Sequence, residues 1–170
     1  MTRIFSVMAL AFIVAAATLS AQMKHVDLKD AKGNSVGMAM ISPAKGGGVS
    51  IDLDVHGLTP GEHALHFHAA AKCEGPDFTS ATGHFNPATK KHGMQNPEGP
   101  HAGDMNNFTV DAKGNAKATI TNKNVTMGSE ANSIYANGGT ALMIHAAADD
   151  MKTDPSGNAG ARIACGAITK

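Results

Sequence analysis

Residues Val49–His56 alternate without interruption: Val49, Ile51, Leu53 and Val55 are apolar, and Ser50, Asp52, Asp54 and His56 are polar. Successive side chains of an extended chain point to opposite faces, so this pattern predicts a half-buried strand. Gly46-Gly47-Gly48 precedes it, and Gly57 and Thr59-Pro60-Gly61 follow, so turns bound it on both sides. Similar runs occur at Met23–Leu28, Val36–Ile41, His63–His68, Asn107–Val110, Ala116–Thr121, Thr140–His145 and Arg162–Ile168, which makes eight strands. The glycine-bearing segments Asp30–Asn34 and Asp111–Asn115 predict hairpin turns between their flanking runs. No segment reads as a convincing amphipathic helix. The expected fold is all-β, an antiparallel sandwich or barrel.

Two stretches carry no such alternation. Residues 69–103 hold Pro76, Pro87, Pro97 and Pro100, and residues 146–161 hold Pro155 and several glycines. Each begins just after a histidine-bearing strand. Structureless segments of this length are uncommon in compact domains and are usually functional where they occur.

The amino terminus follows a different pattern. Arg3 is followed by Ile4–Ala17, which is uncharged and almost wholly apolar or small, and then by the small-residue stretch Thr18-Leu19-Ser20-Ala21. This reads as a secretory signal peptide over residues 1–21, leaving one domain over 22–170. The apolar run is short of the roughly 20 residues that span a bilayer, and no cysteine follows it to carry a lipid. Export is therefore expected, to a periplasm first and to the medium otherwise.

Composition narrows the function. The chain has 14 basic and 14 acidic residues, so it lacks the positive excess of a nucleic-acid binder. Aromatic residues are 4% of the chain, with no tryptophan, which disfavours a stacking platform for bases or sugars. The two cysteines, Cys73 and Cys165, are most simply one disulfide in an oxidising compartment. Two free thiols or a thiolate metal site are the alternatives, but neither cysteine has a partner at CxxC-like spacing.

Nine histidines prompt a search for metal ligands. His66 and His68 fall on one face of a strand, with Leu65 and Phe67 on the other. Two imidazoles outside a core, two residues apart, can share one ion. His145 lies on another strand, with Leu142 and Ile144 on its opposite face. Within the first long loop, His84, His92 and His101 are followed by Asp104, a plausible four-ligand zinc set. That loop has little core of its own, so a metal could fold it. His25 and His56 read as ordinary surface histidines, although Gln22-Met23-Lys24-His25 has a rival reading as a copper-capturing terminus. Methionines could likewise handle copper, but Met38, Met40 and Met143 occupy strand positions where flexible apolar filler suffices.

The segments Leu65-His66-Phe67-His68, Gly83-His84-Phe85-Asn86-Pro87, Lys91-His92-Gly93, His101-Ala102-Gly103-Asp104, Ile144-His145 and Gly157–Gly166 resemble the copper/zinc superoxide dismutase family, exported bacterial type. The resemblance runs in order along essentially the whole chain after the leader. It implies an eight-stranded antiparallel Greek-key β-sandwich or barrel with two long functional loops. It implies one copper ion per subunit on His66, His68, His84 and His145, and one zinc ion on His84, His92, His101 and Asp104. Asp149 matches a carboxylate linking His66 to His92, Arg162 a guanidinium beside the copper, Ser156 a small residue narrowing the channel, and His63 a loop-supporting histidine. The implied reaction turns superoxide into oxygen and hydrogen peroxide by Cu(II)/Cu(I) cycling, with His84 passing a proton. The implied partner is the superoxide anion, with neither nucleic acid nor membrane after leader removal; a homodimer stays open.

The chain also departs from the family pattern. Ala69-Ala70-Ala71 follows the His66/His68 pair and Ala146-Ala147-Ala148 follows His145, where charged and glycine-bearing stretches are common. These changes bear on loop conformation and anion steering, not on the ligands. A non-catalytic copper or zinc store of the same fold is the alternative, but a store need keep neither Arg162 nor all four copper ligands. A zinc hydrolase would need a general base near the histidines, and Glu62 and Glu74 have no motif context.

Overall fold

A computed structural model describes residues 23–170; the leader expected over residues 1–21 lies outside the described residues. Among the described residues there are nine strands: β1 (Lys24–Lys29), β2 (Ser35–Pro43), β3 (Val49–Val55), β4 (Gly61–His63), β5 (Leu65–His68), β6 (Phe108–Val110), β7 (Ala116–Asn122), β8 (Thr140–His145) and β9 (Arg162–Ile168). Two single 3-10 turns, Thr79–Ala81 and Ala136–Gly138, are the only helical segments among the described residues. None of these is long and apolar enough to cross a membrane.

The strands form a seven-stranded antiparallel sheet in the order β5-β8-β9-β1-β2-β3-β7, with β4 and β6 paired separately. Placing β7 beside β3, and β8 between β5 and β9, gives the expected Greek-key arrangement. The β3 alternation holds: Val49, Ile51, Leu53 and Val55 are buried, while Asp52 and Asp54 are exposed. The core they join includes Val26, Leu28, Ile41, Leu65, Phe67, Ile120, Leu142 and Ile144.

The run His63–His68, expected as one strand, is two, and this accounts for nine strands rather than eight. Ala64 leaves both ladders: its N–H donates to Ala147 O at 2.9 Å, and its carbonyl accepts from His145 N at 3.0 Å. Before it the chain pairs with β6, and after it with β8. The chain changes sheet at Ala64. The two glycine turns share one local design, with Asp30 N–H donating to Asn34 O at 2.9 Å and Asp111 N–H to Asn115 O at 2.8 Å. Only the first closes a ladder, between β1 and β2. The second delivers β6 and β7 to different sheets, so it is not a hairpin.

Cys73 and Cys165 form the expected disulfide, with Cα atoms 5.6 Å apart. It fastens the start of the first long loop to β9, beside buried Phe78, Ala81, Ala141 and Met143. The bond spans a sequence separation of 92 residues. On the chain-entropy account, closing a loop of that length stabilises the fold by about 4–5 kcal/mol. Replacing both cysteines with serine is expected to lower the unfolding free energy of the metal-free protein by about that amount. Guanidinium denaturation of the two metal-free proteins checks this, and an unchanged midpoint would contradict it.

Candidate metal centre

The register of the sheet brings three histidines together. Leu65 pairs with Ile144 and His66 with Met143, so His145 emerges one step beyond β5. Leu65, Phe67, Leu142 and Ile144 enter the core, and His66, His68 and His145 leave from the opposite face. That face is buried too, with His66 at 0% and His68 at 1% exposure, because the two long loops fold over it.

Backbone contacts deliver the fourth histidine. His84 forms an isolated bridge with His68. Phe85 N–H donates to Phe67 O at 2.8 Å, Phe67 N–H to Gly103 O at 2.9 Å, and Gly103 N–H to Phe85 O at 2.8 Å. This three-way clasp holds the β5 histidines, His84 and the His101–Asp104 segment against one another. Gly103 is required there, since a Cβ would collide with the Phe67 carbonyl oxygen.

Two donor groups result, and His84 belongs to both. His66, His68, His84 and His145 present ring nitrogens within 4.8 Å of one another. His84, His92, His101 and Asp104 do the same. In the second group, Asp104 Oδ1 lies 2.9 Å from His84 Nδ1, 3.1 Å from His92 Nδ1 and 3.4 Å from His101 Nδ1. A tetrahedron with metal–ligand bonds of about 2.0–2.1 Å has edges of about 3.3 Å, so these spacings suit zinc. Asp104 Oδ2 is anchored by N–H donors from Gly93 at 2.8 Å and His101 at 2.9 Å, which aims Oδ1 inward.

The first group is all imidazole, a donor set that suits copper. Its fit to a cation rests on a specific observation. His66 Nδ1 and His84 Nε2 are buried and have no hydrogen-bond partner among the described residues. His68 Nε2 and His145 Nε2 lie 3.3 Å apart, facing the same space. A buried polar atom without a partner is costly, and an ion among these nitrogens supplies one.

A third cluster, His66, His92 and Asp149, links the two groups. Asp149 Oδ2 lies 2.8 Å from His66 Nε2, and its Oδ1 lies 3.0 Å from His92 Nε2. Each Nε2–H is thereby held, which fixes both rings with Nδ1 free to bind. The sequence reading reached Asp149 but not its supports. Asn107 clamps its backbone, donating from Nδ2 to Asp149 O at 2.9 Å and accepting from Asp149 N at 2.9 Å. Gly157, at φ 64°, lies where a Cβ would collide with Asp149 Oδ1. Asp154 Oδ1 accepts from His92 N at 2.7 Å, tying the second loop to the first. Asn107 and Asp154 carry no motif that spacing reveals; only the fold brings them to the site.

Burial sets the electrostatics. Desolvation, aided by neighbouring imidazoles, lowers His68 to about 2, His145 to about 3 and His84 to about 4. These rings are neutral at physiological pH and offer lone pairs. His92 goes the other way: burial opposes its charge, but Asp104 and Asp149 together raise it to about 9. Without a metal it carries a proton, which an incoming cation must displace. Burial alone would raise Asp104 and Asp149, yet the histidine hydrogen bonds hold both well below the usual carboxylate range.

Arg162 reaches the rim of the first group, donating from its guanidinium to Phe78 O at 2.7 Å and Thr82 O at 2.6 Å. It lines a cleft with Ser156, His68, His84 and His145. His63 is buried at 1%, with Nδ1 2.6 Å from His145 O and Nε2 2.8 Å from Thr59 O, so it braces the loops and joins no donor group. His25 and His56 are exposed, as expected. Met143 is buried filler, but Met38 is 38% exposed, which corrects the filler reading there: on β2 the inward positions belong to Ala39 and Ile41.

Comparison with known proteins agrees with this geometry. The profile of copper/zinc superoxide dismutase (SODC) matches residues 35–168. Copper/zinc superoxide dismutase 1 of Aquifex aeolicus is 50% identical over 146 residues, covering 85% of this chain and 86% of its own length. The second such protein of that bacterium is 46% identical over 171 residues, covering 99% of both. Among solved structures, a superoxide dismutase-like protein from Bacillus subtilis superposes with a TM-score of 0.82 at 39% identity, covering 85% of this chain and 97% of its own. Copper/zinc superoxide dismutase from Brucella abortus gives a TM-score of 0.71 at 29% identity, covering 86% of this chain and 99% of its own.

Asp149→Asn keeps the side-chain shape but leaves one oxygen to serve two Nε2–H donors. Zinc affinity is expected to fall about 10–100-fold with the sheet intact. Competition with a chromophoric chelator measures this, and unchanged affinity would mean that Asp149 does not hold His92.

Proposed function

Because the chain belongs to the copper/zinc superoxide dismutase family, we propose how its own residues divide the work of that activity. The protein is a superoxide dismutase that uses copper and zinc and converts superoxide to oxygen and hydrogen peroxide. His66, His68, His84 and His145 would hold copper, which would supply the one-electron chemistry, and His84, His92, His101 and Asp104 would hold zinc, which lacks it. The observation that carries this division is the pair of unpartnered buried nitrogens, His66 Nδ1 and His84 Nε2.

Each residue then has a distinct task. Asp104 and Asp149 hold His84 and His92 in fixed orientations, so the donors need no rearrangement on binding. Arg162 presents a fixed charge and N–H donors beside the His84/His145 face, where a small anion can dock. Its carbonyl partners Phe78 and Thr82 take up part of its hydrogen-bonding capacity and hold the planar group in position. His84 Nε2 is the atom that can hold a proton whenever its lone pair is free of a cation, and pass it to the reduced product. Pro155 and Ser156 narrow the entrance. The disulfide of Cys73 with Cys165 keeps β9, and with it Arg162, in place.

The leader over residues 1–21 is removed on export, and the domain over 22–170 works in the periplasm. This rests on the charged start, the short apolar run and the small residues that follow. A dimer of two such subunits is compatible with the assignment, because every site residue comes from one chain.

Copper and zinc analysis of the purified protein, together with superoxide consumption, tests the activity. Arg162→Ala tests the division of work. It is expected to lower kcat/KM by about 10–100-fold, through loss of roughly 1.4–2.7 kcal/mol of anion stabilisation, with both metals retained. Its rate should also depend less on ionic strength, because salt screens the attraction that Arg162 provides. Wild-type rate and salt dependence at full metal loading would remove Arg162 from the anion site.

A further inference from the structure

The outer face of the sheet, away from the buried centre, carries an unusual set of side chains. The large hydrophobic residues exposed among the described residues are Met23 at 66%, Met38 at 38% and Met94 at 42%. All are methionines. Met23 and Met38 lie on or next to adjacent strands, and half-buried Met40 shares the outer face of β2 with Met38. His25 is the register partner of Met40, and Asp27 that of Met38. Directly paired residues have Cβ atoms about 4.5–5.5 Å apart, and same-face neighbours on one strand are about 6.8 Å apart. His25, Met38 and Met40 are therefore within reach of one shared ion.

Two of the carboxylates on this face already have partners. Asp54 is paired with Lys117, and Asp52 Oδ1 accepts from Thr119 Oγ1 at 2.7 Å. Asp27 Oδ1 lies 3.6 Å from His25 Nδ1, beyond hydrogen-bond length. Two thioether sulfurs and the far nitrogen of His25, Nε2, have no hydrogen-bond partner among the described residues. This set favours a soft cation over a hard one, because thioether donors select soft ions such as monovalent copper, imidazole accepts copper among several metals, and oxygen donors suit calcium, magnesium or manganese.

We infer that His25, Met38 and Met40 form a second metal site, on the outer face of β1 and β2, that binds a soft monovalent cation of the Cu(I) class. Met23, two residues before His25, supplies a further thioether to the same strip. The site is independent of the buried centre: its side chains point to solvent, and none of them belongs to either buried donor group. Burial of an apolar filler does not explain Met38, since the same position on neighbouring β3 is Asp54 and on β7 is Lys117.

The test uses protein already saturated with copper and zinc, so that the buried nitrogens are filled, and Ag(I) as a redox-inert probe of the same class. With methionine methyl groups labelled with carbon-13, about one equivalent of Ag(I) is expected to shift the Met38 and Met40 methyl resonances, with Met105 and Met143 unmoved. Met38→Leu combined with Met40→Leu keeps the apolar volume and should retain full dismutase activity, yet weaken Ag(I) binding about tenfold or more. His25→Asn should weaken it in the same direction. Unmoved Met38 and Met40 methyls at one equivalent, or unchanged Ag(I) affinity in the double variant, would overturn the site. Neither result would touch the assignment of the buried centre.

Discussion

A buried imidazole has two ring nitrogens, and burial penalises either one left without a partner. In His84 both nitrogens are committed to the protein interior. Nδ1 faces Asp104 and the rings of His92 and His101, and Nε2 faces the space enclosed by His66, His68 and His145. No protein group answers Nε2. One side chain is thereby shared by two donor sets; a neutral imidazole has one lone pair, so a cation on each side would require the ring to give up its remaining N–H proton. The rest of the fold serves to hold this ring where both conditions apply.

That holding is done in layers. The sheet supplies His66, His68 and His145 through strand register, which is fixed because a shift of one residue would turn the core face outward. The loops supply His84, His92, His101 and Asp104, and they lack a core to order them. Their order comes from the Phe67–Phe85–Gly103 backbone clasp, from the disulfide, and from carboxylates that reach between segments. Asp149 ties the donor sets together, and Asp154 ties one loop to the other. The second loop also organises itself: Asp150 accepts N–H bonds from Lys152 and Thr153 and one from the Asn158 side chain. This is how chain with so many alanines and glycines can shape a fixed cleft.

Much of this was legible in the sequence, for reasons that can be named. Period-2 alternation in β3 marks its core face directly, and the spacing His66-x-His68 follows from the pleat. Resemblance singled out the candidate donors, Asp149 and Arg162, because their segments are short and local. Splitting of the His63–His68 run was not legible, since Ala64 differs from its neighbours only in tertiary hydrogen bonds to Ala147 and His145. The turn at Asp111–Asn115 has the same residues as a hairpin turn, and only packing sends β6 and β7 to different sheets. Asn107 and Asp154 lie close in sequence to Asp104 and Asp149, but no motif marks them, and nothing local in the matched Gly157–Gly166 segment shows that Gly157 packs against Asp149. Exposure of Met38 could have been read from its parity with Asp52 and Asp54 across the sheet, once the register was known.

The central claim is that the two nitrogens of His84 serve two different metals. Anomalous diffraction from crystals of the metal-loaded protein, collected on either side of the copper and zinc absorption edges, tests it most directly. The account predicts a copper peak bounded by His66, His68, His84 and His145, and a zinc peak bounded by His84, His92, His101 and Asp104. One peak would then lie on each side of the His84 ring. A single peak, or peaks that leave either nitrogen of His84 without a metal in the fully loaded protein, would contradict it.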